Sequence, residues 1–119
     1  MTVRMRSLDK VVILDCSGDV DLHSSPRLRA ALLAAIKTGG PSVLVNLSGV
    51  AFIDSTGIAA LVEGLQVSRQ TRTSLGLFGL RPNARSVLEL AHLDKVFAIF
   101  ENEAVALQKI ESVPPFGGV

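Results

Sequence analysis

The chain has 119 residues, one domain by length, and 48 % of them are hydrophobic, which suffices for a core and excludes long disorder. Its 12 basic and 11 acidic residues leave a net charge of +1, with no basic block, no Tyr and no Trp, so the phosphate-tracking stripes and stacking platforms of a nucleic-acid binder are missing. A single cysteine, Cys16, excludes an internal disulfide and a cysteine-rich zinc site; lying in V-V-I-L-D-C, it reads as a small core residue.

The opening residues, M-T-V-R-M-R-S-L-D-K, lack the apolar stretch of a signal peptide. No apolar run approaches the roughly 20 residues that span a bilayer. A cytoplasmic chain with no membrane partner is therefore expected. Residues 3–7 alternate apolar and charged, as an edge strand does, and Val11–Cys16 is a β-branched apolar run suited to pair with it across a turn at 7–10. S-G-D-V-D-L-H-S-S-P is a loop that ends as a helix start, with Ser24 or Ser25 as N-cap and Pro26 in the first turn. Leu28, Leu32, Ala35 and Ile36 then recur at helical spacing until Gly39-Gly40-Pro41 stops the helix.

Val43–Leu47 is an apolar strand broken only by Asn46. After S-G-V-A-F-I-D-S-T-G, the positions Ile58, Leu61, Val62 and Leu65 follow the i, i+3, i+4, i+7 series of an amphipathic helix. Ser74–Leu80 predicts a strand, Arg81-Pro82-Asn83 opens a third helix, Val96–Phe100 predicts a last strand and Glu101–Ile110 a last helix. The order β-β-α-β-α-β-α-β-α argues an α/β fold, with parallel pairing after the first hairpin.

D-S-T-G at 54–57 is the stretch that asks for a function. Capping by Asp54 or Ser55 accounts for one of these residues. It leaves Gly57 unexplained, since glycine inside a first turn costs up to about 1 kcal/mol relative to alanine. A glycine beside two hydroxyls suits a site that a large partner approaches, or one that is modified. A catalytic Ser55 would need a base, yet the only histidines are His23 and His92, and I-D-S-T-G lacks the first glycine of a nucleophile elbow. Neither a G-K-[ST] phosphate loop nor ligand-spaced His, Cys or carboxylates are present, so no cofactor, no metal and no enzymatic activity are expected.

F-I-D-S-T-G-I-A-A-L, following V-L-V-N-L-S-G-V, resembles the signature of the STAS domain of anti-sigma factor antagonists. G-D-V-D-L-H-S-S-P-R-L-R-A-A-L and F-G-L-R-P-N-A-R-S-V-L-E-L-A-H-L-D-K-V-F-A-I-F resemble further segments of that family, in order and in register over about residues 3–110. The resemblance implies a single STAS-like domain, taken over 1–112, with a mixed sheet and helices packed mainly on one face; the tail V-P-P-F-G-G-V, residues 113–119, lies outside the resemblance and reads from its composition as flexible. The resemblance also implies an antagonist whose unphosphorylated form binds a serine-kinase anti-sigma factor of histidine-kinase-like ATPase fold and frees the sigma factor. Phosphorylation at Ser55 would block that binding and a serine phosphatase would reset it. Asp21, His23, Ser24, Asp54, Ser55, Thr56, Gly57 and Ile58 are the expected partner-binding residues. Two other readings compete: a non-catalytic subunit of a lipid-transport or stress-signalling complex, and a nucleotide or small-molecule sensor.

Overall fold

Asp9, in a left-handed conformation at φ 56°, turns the chain back on itself, so that Leu8 pairs with Val11 and the first two strands form the expected hairpin. A computed structural model describes residues 1–38 and 40–114. Its elements are β1 (Thr2–Leu8), β2 (Val11–Ser17), α1 (Ser25–Thr38), β3 (Ser42–Gly49), α2 (Ser55–Thr71), β4 (Ser74–Phe78), α3 (Pro82–Leu90), β5 (Ala98–Phe100) and α4 (Glu103–Lys109), with a 3₁₀ turn over Ile110–Ser112. The order along the chain is the one expected.

Strand order in the sheet follows chain order, β1-β2-β3-β4-β5, with β1 antiparallel to β2 and the remaining pairs parallel. The period of two along each strand sorts the core into two layers. Val12, Leu14, Val43, Val45, Leu47, Leu75 and Leu77 pack with Leu28, Leu32, Leu61, Leu65, Ala84 and Leu88, so α1, α2 and α3 cover one face. The intervening Val11, Ile13, Leu44 and Phe78 meet Ala106 and Ile110, so α4 covers part of the other face. Cys16 is buried in the larger layer, and burial pushes its thiol up to about 12, which leaves it inert.

Most boundaries move by a residue or two from the sequence reading, and three of the shifts have visible causes. β4 stops at Phe78, because Gly79 takes φ +74° and leaves the strand. β5 starts at Ala98, because Val96 and Phe97 donate their N–H groups back to Leu93 in a turn. α4 begins at Glu103, because Asn102 is its N-cap, accepting from the Val105 N–H at 3.0 Å. Of the expected tail, residues 115–119 lie outside the described residues. Val113 is half-buried, and its carbonyl accepts from the Ser74 hydroxyl at 2.7 Å.

Two features set the stability of this scaffold. Helices α1 and α2 approach closely at Gly64, where a Cβ would collide with the buried Leu32. On the α4 face, Arg6 of β1 donates to Asp15 of β2 (Nε to Oδ2, 2.5 Å) and to Glu103 of α4 (Nη2 to Oε1, 2.6 Å), while Asn46 of β3 donates to Asp15 at 2.8 Å. This half-buried group ties three strands and a helix together. The Arg6 guanidinium holds the Asp15 carboxyl below the usual carboxylate range.

Gly64→Val is expected to destabilise the fold by about 1–3 kcal/mol through overpacking against Leu32, measured by urea denaturation. The contribution of Asp15 has a definite sign with pH. Its folded pKa is depressed, so the contribution is complete above the unfolded value, about 3.9, and is lost as pH falls through the folded value. Asp15→Asn is therefore expected to lower the denaturation midpoint at neutral pH and to shrink the further loss on acidification below about pH 4.

Candidate functional site

At the carboxyl ends of β2 and β3 the two following loops are stitched together. The Val20 N–H donates to the Phe52 carbonyl at 2.9 Å and the Asp54 N–H donates to the Val20 carbonyl at 3.0 Å, making a parallel bridge between Val20 and Ile53. Val20 and Ile53 are buried beneath it. Strand alternation then puts Asp21 and Asp54 side by side on the outer surface, with Asp19 and Phe52 as the pair before them.

Asp54 is the N-cap of α2. Its Oδ1 accepts from the Thr56 N–H at 2.9 Å, from the Gly57 N–H at 3.2 Å and from the Thr56 hydroxyl at 2.5 Å. The hydroxyl bond from Thr56 and the two backbone donors hold its carboxyl below the usual range, against the opposing push of Asp21. The capping choice left open by the sequence is thereby resolved in favour of Asp54. Ser55, the first residue of α2, is exposed, and its hydroxyl makes no hydrogen bond among the described residues. The Thr56 hydroxyl, in contrast, is committed to the cap.

The neighbouring loop is held by Asp21, whose Oδ1 accepts from the Ser24 N–H at 3.0 Å, the His23 N–H at 2.9 Å and the Ser24 hydroxyl at 3.2 Å. Bonds from Ser24, first its backbone N–H, lower the Asp21 pKa. The Asp21 N–H in turn donates to the Ser24 hydroxyl at 2.9 Å. Asp21 and Ser24 are half-buried in this reciprocal arrangement, and His23 stands exposed beside them. The structure thus gathers Asp21, His23 and Ser24 on one loop and Asp54, Ser55 and Thr56 on the adjoining helix start.

Two expected surface residues point inward. Gly57 is buried, and a Cβ there would stand 2.5 Å from Ile53 Cγ1 and 2.6 Å from Val20 Cγ1. The reason for the glycine is therefore corrected: it lets the first turn of α2 settle on the stitched loops, instead of clearing room for a partner. Ile58 is 7 % exposed and belongs to the core.

Other residues escaped the sequence reading. The Asn83 side chain, at the start of α3, accepts from the Ile53 N–H at 2.8 Å and so ties a third loop to the site. No local signal marked that contact, which spans 30 residues. Leu22 and Phe52 are 68 % and 44 % exposed, large apolar side chains left in water beside the carboxylates; the sequence showed Leu22 only as a loop residue and Phe52 only as part of the apolar run V-A-F-I. Alternation around D-V-D could have flagged Asp19.

Chemically, the arrangement offers an unengaged hydroxyl, two ionised carboxylates and two apolar side chains on a rigid base. Neither histidine is hydrogen-bonded to Ser55. Among the described residues no group of three or more His, Cys, Asp or Glu is placed to hold a metal ion, and no helix is long and apolar enough to cross a membrane.

Comparison with known proteins agrees with this architecture. An anti-sigma F factor antagonist of Paenibacillus polymyxa is 25 % identical over 114 residues, 95 % of this chain and 97 % of that one. An anti-sigma-B factor antagonist of Listeria monocytogenes is 27 % identical over 97 residues, covering 82 % of this chain and 84 % of its own length. The crystal structure of an anti-sigma factor antagonist from Mycobacterium paratuberculosis superposes with a TM-score of 0.85 at 26 % identity, over 92 % of this chain and 93 % of that one. The family model described as the STAS domain matches residues 2–106, nearly the whole described fold, and the chain belongs to the STAS domain family.

Proposed function

We propose that this chain is an anti-sigma factor antagonist whose docking surface is switched by phosphorylation of Ser55. The observation that carries the reading is the division of labour at the mouth of α2. Asp54 caps the helix alone, so the Ser55 hydroxyl has no structural duty and stands in solvent. The names of the relatives, antagonists of anti-sigma factors, supply the kind of partner. The partner in this reading is a serine-kinase anti-sigma factor of histidine-kinase-like ATPase fold, bound by the unphosphorylated form, with a serine phosphatase for reset. The chain itself carries out no catalysis.

The physics of such a switch is local. A phosphate on Ser55 brings close to two negative charges to the N-terminus of a 17-residue helix, where the dipole favours them. Gly57, Val20 and Ile53 are already in tight contact, so the helix start has no slack through which to move. What changes is the field. The phosphate joins Asp54 and Asp21, both held ionised at neutral pH by their hydrogen bonds. A partner surface fitted to a hydroxyl and two carboxylates would have to bury that added charge uncompensated, at a cost of several kcal/mol, or about 100-fold or more in affinity.

Affinity capture with wild type, Ser55→Ala and Ser55→Asp tests the reading, provided the captured protein is identified and incubated with ATP. A kinase-type partner recovered by the first two baits but not by Ser55→Asp, and phosphate mapped to Ser55, are the expected results. Equal recovery by all three baits would sink the switch. Stability controls separate the roles of the neighbours: Ser55→Asp should leave unfolding free energy within about 1 kcal/mol of wild type, whereas Asp54→Ala should cost about 1 kcal/mol or more through loss of the cap.

A further inference from the structure

Ile53 lies beneath the Ser55 surface, 1 % exposed, and its backbone N–H needs a partner there. Successive peptide groups of an extended strand point to alternate sides. The Phe52 carbonyl and the Asp54 N–H both bond to Val20, so the Ile53 N–H faces the other way, toward the β4 side of β3. β4 supplies no acceptor at that level, because it stops at Phe78 and Gly79 leaves it at φ +74°. Asn83 fills the gap: its Oδ1 accepts from the Ile53 N–H at 2.8 Å. That oxygen does nothing for its own helix. Arg81 is the N-cap of α3 and makes no side-chain cap bond, while Asn83, of a type that caps well, sits inside the helix start. The first turn of α3 thus keeps a residue of poor helix propensity whose hydrogen bond serves a neighbouring loop.

What Asn83 holds is the bed of α2. Ile53 and Val20 are the side chains that a Cβ at Gly57 would strike. The next residue, Asp54, takes the Thr56 and Gly57 N–H groups with which the helix begins. We infer that Asn83 is a positioning residue for the Ser55 surface: by fixing the Ile53 peptide from α3, it keeps the Asp54 cap and the adjoining hydroxyl in the geometry that a partner meets. This role rests on the reading of Ser55 as a phosphorylation switch, and it adds a control point that lies off the docking face. Without the acceptor, a buried N–H is left unpaired at the foot of α2, and the turn over residues 53–57 opens locally while the sheet stays folded.

Amide hydrogen exchange of the ¹⁵N-labelled chain tests the assignment, with Asn83→Leu removing the acceptor at similar volume and Asn83→Asp keeping it. Asn83→Leu is expected to speed exchange at Ile53, Thr56 and Gly57 by about tenfold beyond any change at Leu44 and Val45 in the middle of β3, and Asn83→Asp to bring these amides back to within about twofold of wild type. The kinase recovered by the wild-type and Ser55→Ala baits gives the second readout. Its affinity for Asn83→Leu is expected to fall about tenfold, while Asp15→Asn, which loosens the fold from the α4 face of the sheet, leaves that affinity unchanged. Exchange at Ile53, Thr56 and Gly57 that rises only in step with Leu44 and Val45, or that stays fast in Asn83→Asp, would overturn the positioning role. Equal affinity of the kinase for wild type and Asn83→Leu would also overturn it, and the switch, judged by Ser55→Asp, would still stand. If wild type recovers no kinase, the switch fails and this role for Asn83 fails with it.

Discussion

The functional end of this molecule depends on one short backbone stitch. Two hydrogen bonds, from Val20 to Phe52 and from Asp54 to Val20, extend the sheet for a single bridge beyond its regular strands. They fix the loop after β2 against the loop after β3, and they bring two carboxylates together that are 33 positions apart in sequence. Everything else at the site is built on that bridge. Asp54 caps α2 from it, Gly57 lets the helix rest on it, and Asn83 anchors it from α3.

This arrangement keeps the exposed surface around Ser55 separate from the load on the fold. Hydrogen bonds that hold the site in shape are made by Asp21, Ser24, Asp54 and Thr56. The exposed groups left over are the Ser55 hydroxyl, His23, Leu22 and Phe52, and none of their side chains supports the core. A surface organised in this way can change its charge without changing its shape. If the surface docks a partner as proposed, the exposed Leu22 and Phe52 are where discrimination among partners has room to develop.

Much of this was legible in the residues. The switch between period two and period 3.6 gave the element order, and turn chemistry at Gly39-Gly40-Pro41 and Arg81-Pro82-Asn83 marked helix ends. D-S-T-G marked the site. The misreadings share one cause: a local pattern was assigned a local explanation. Gly57 looked like clearance for a visitor, when its true neighbours, Val20 and Ile53, come from the loops beneath. Ile58 sits beside the exposed serine in sequence but turns a helical step away, into the core. Val96 and Phe97 have strand propensity, yet Leu93 captures both of their N–H groups in a turn. Asn83 could not be read at all, because its partner lies on a different loop. Propensity and spacing report what one segment prefers, and these residues are determined by what two segments share.

The strand order carries a kinetic consequence. Each strand lies beside the one made just before it, from β1 through β5. No strand has to be inserted between two others already paired, and each closure spans one crossover at most. The sheet can therefore grow at a single advancing edge as the chain leaves the ribosome. On that course the stitch at Val20 forms as soon as β3 and its loop are out, before α3 exists to brace it. The surface around Ser55 is then complete in outline while the last third of the protein is still being made, and only the arrival of Asn83 fastens it down.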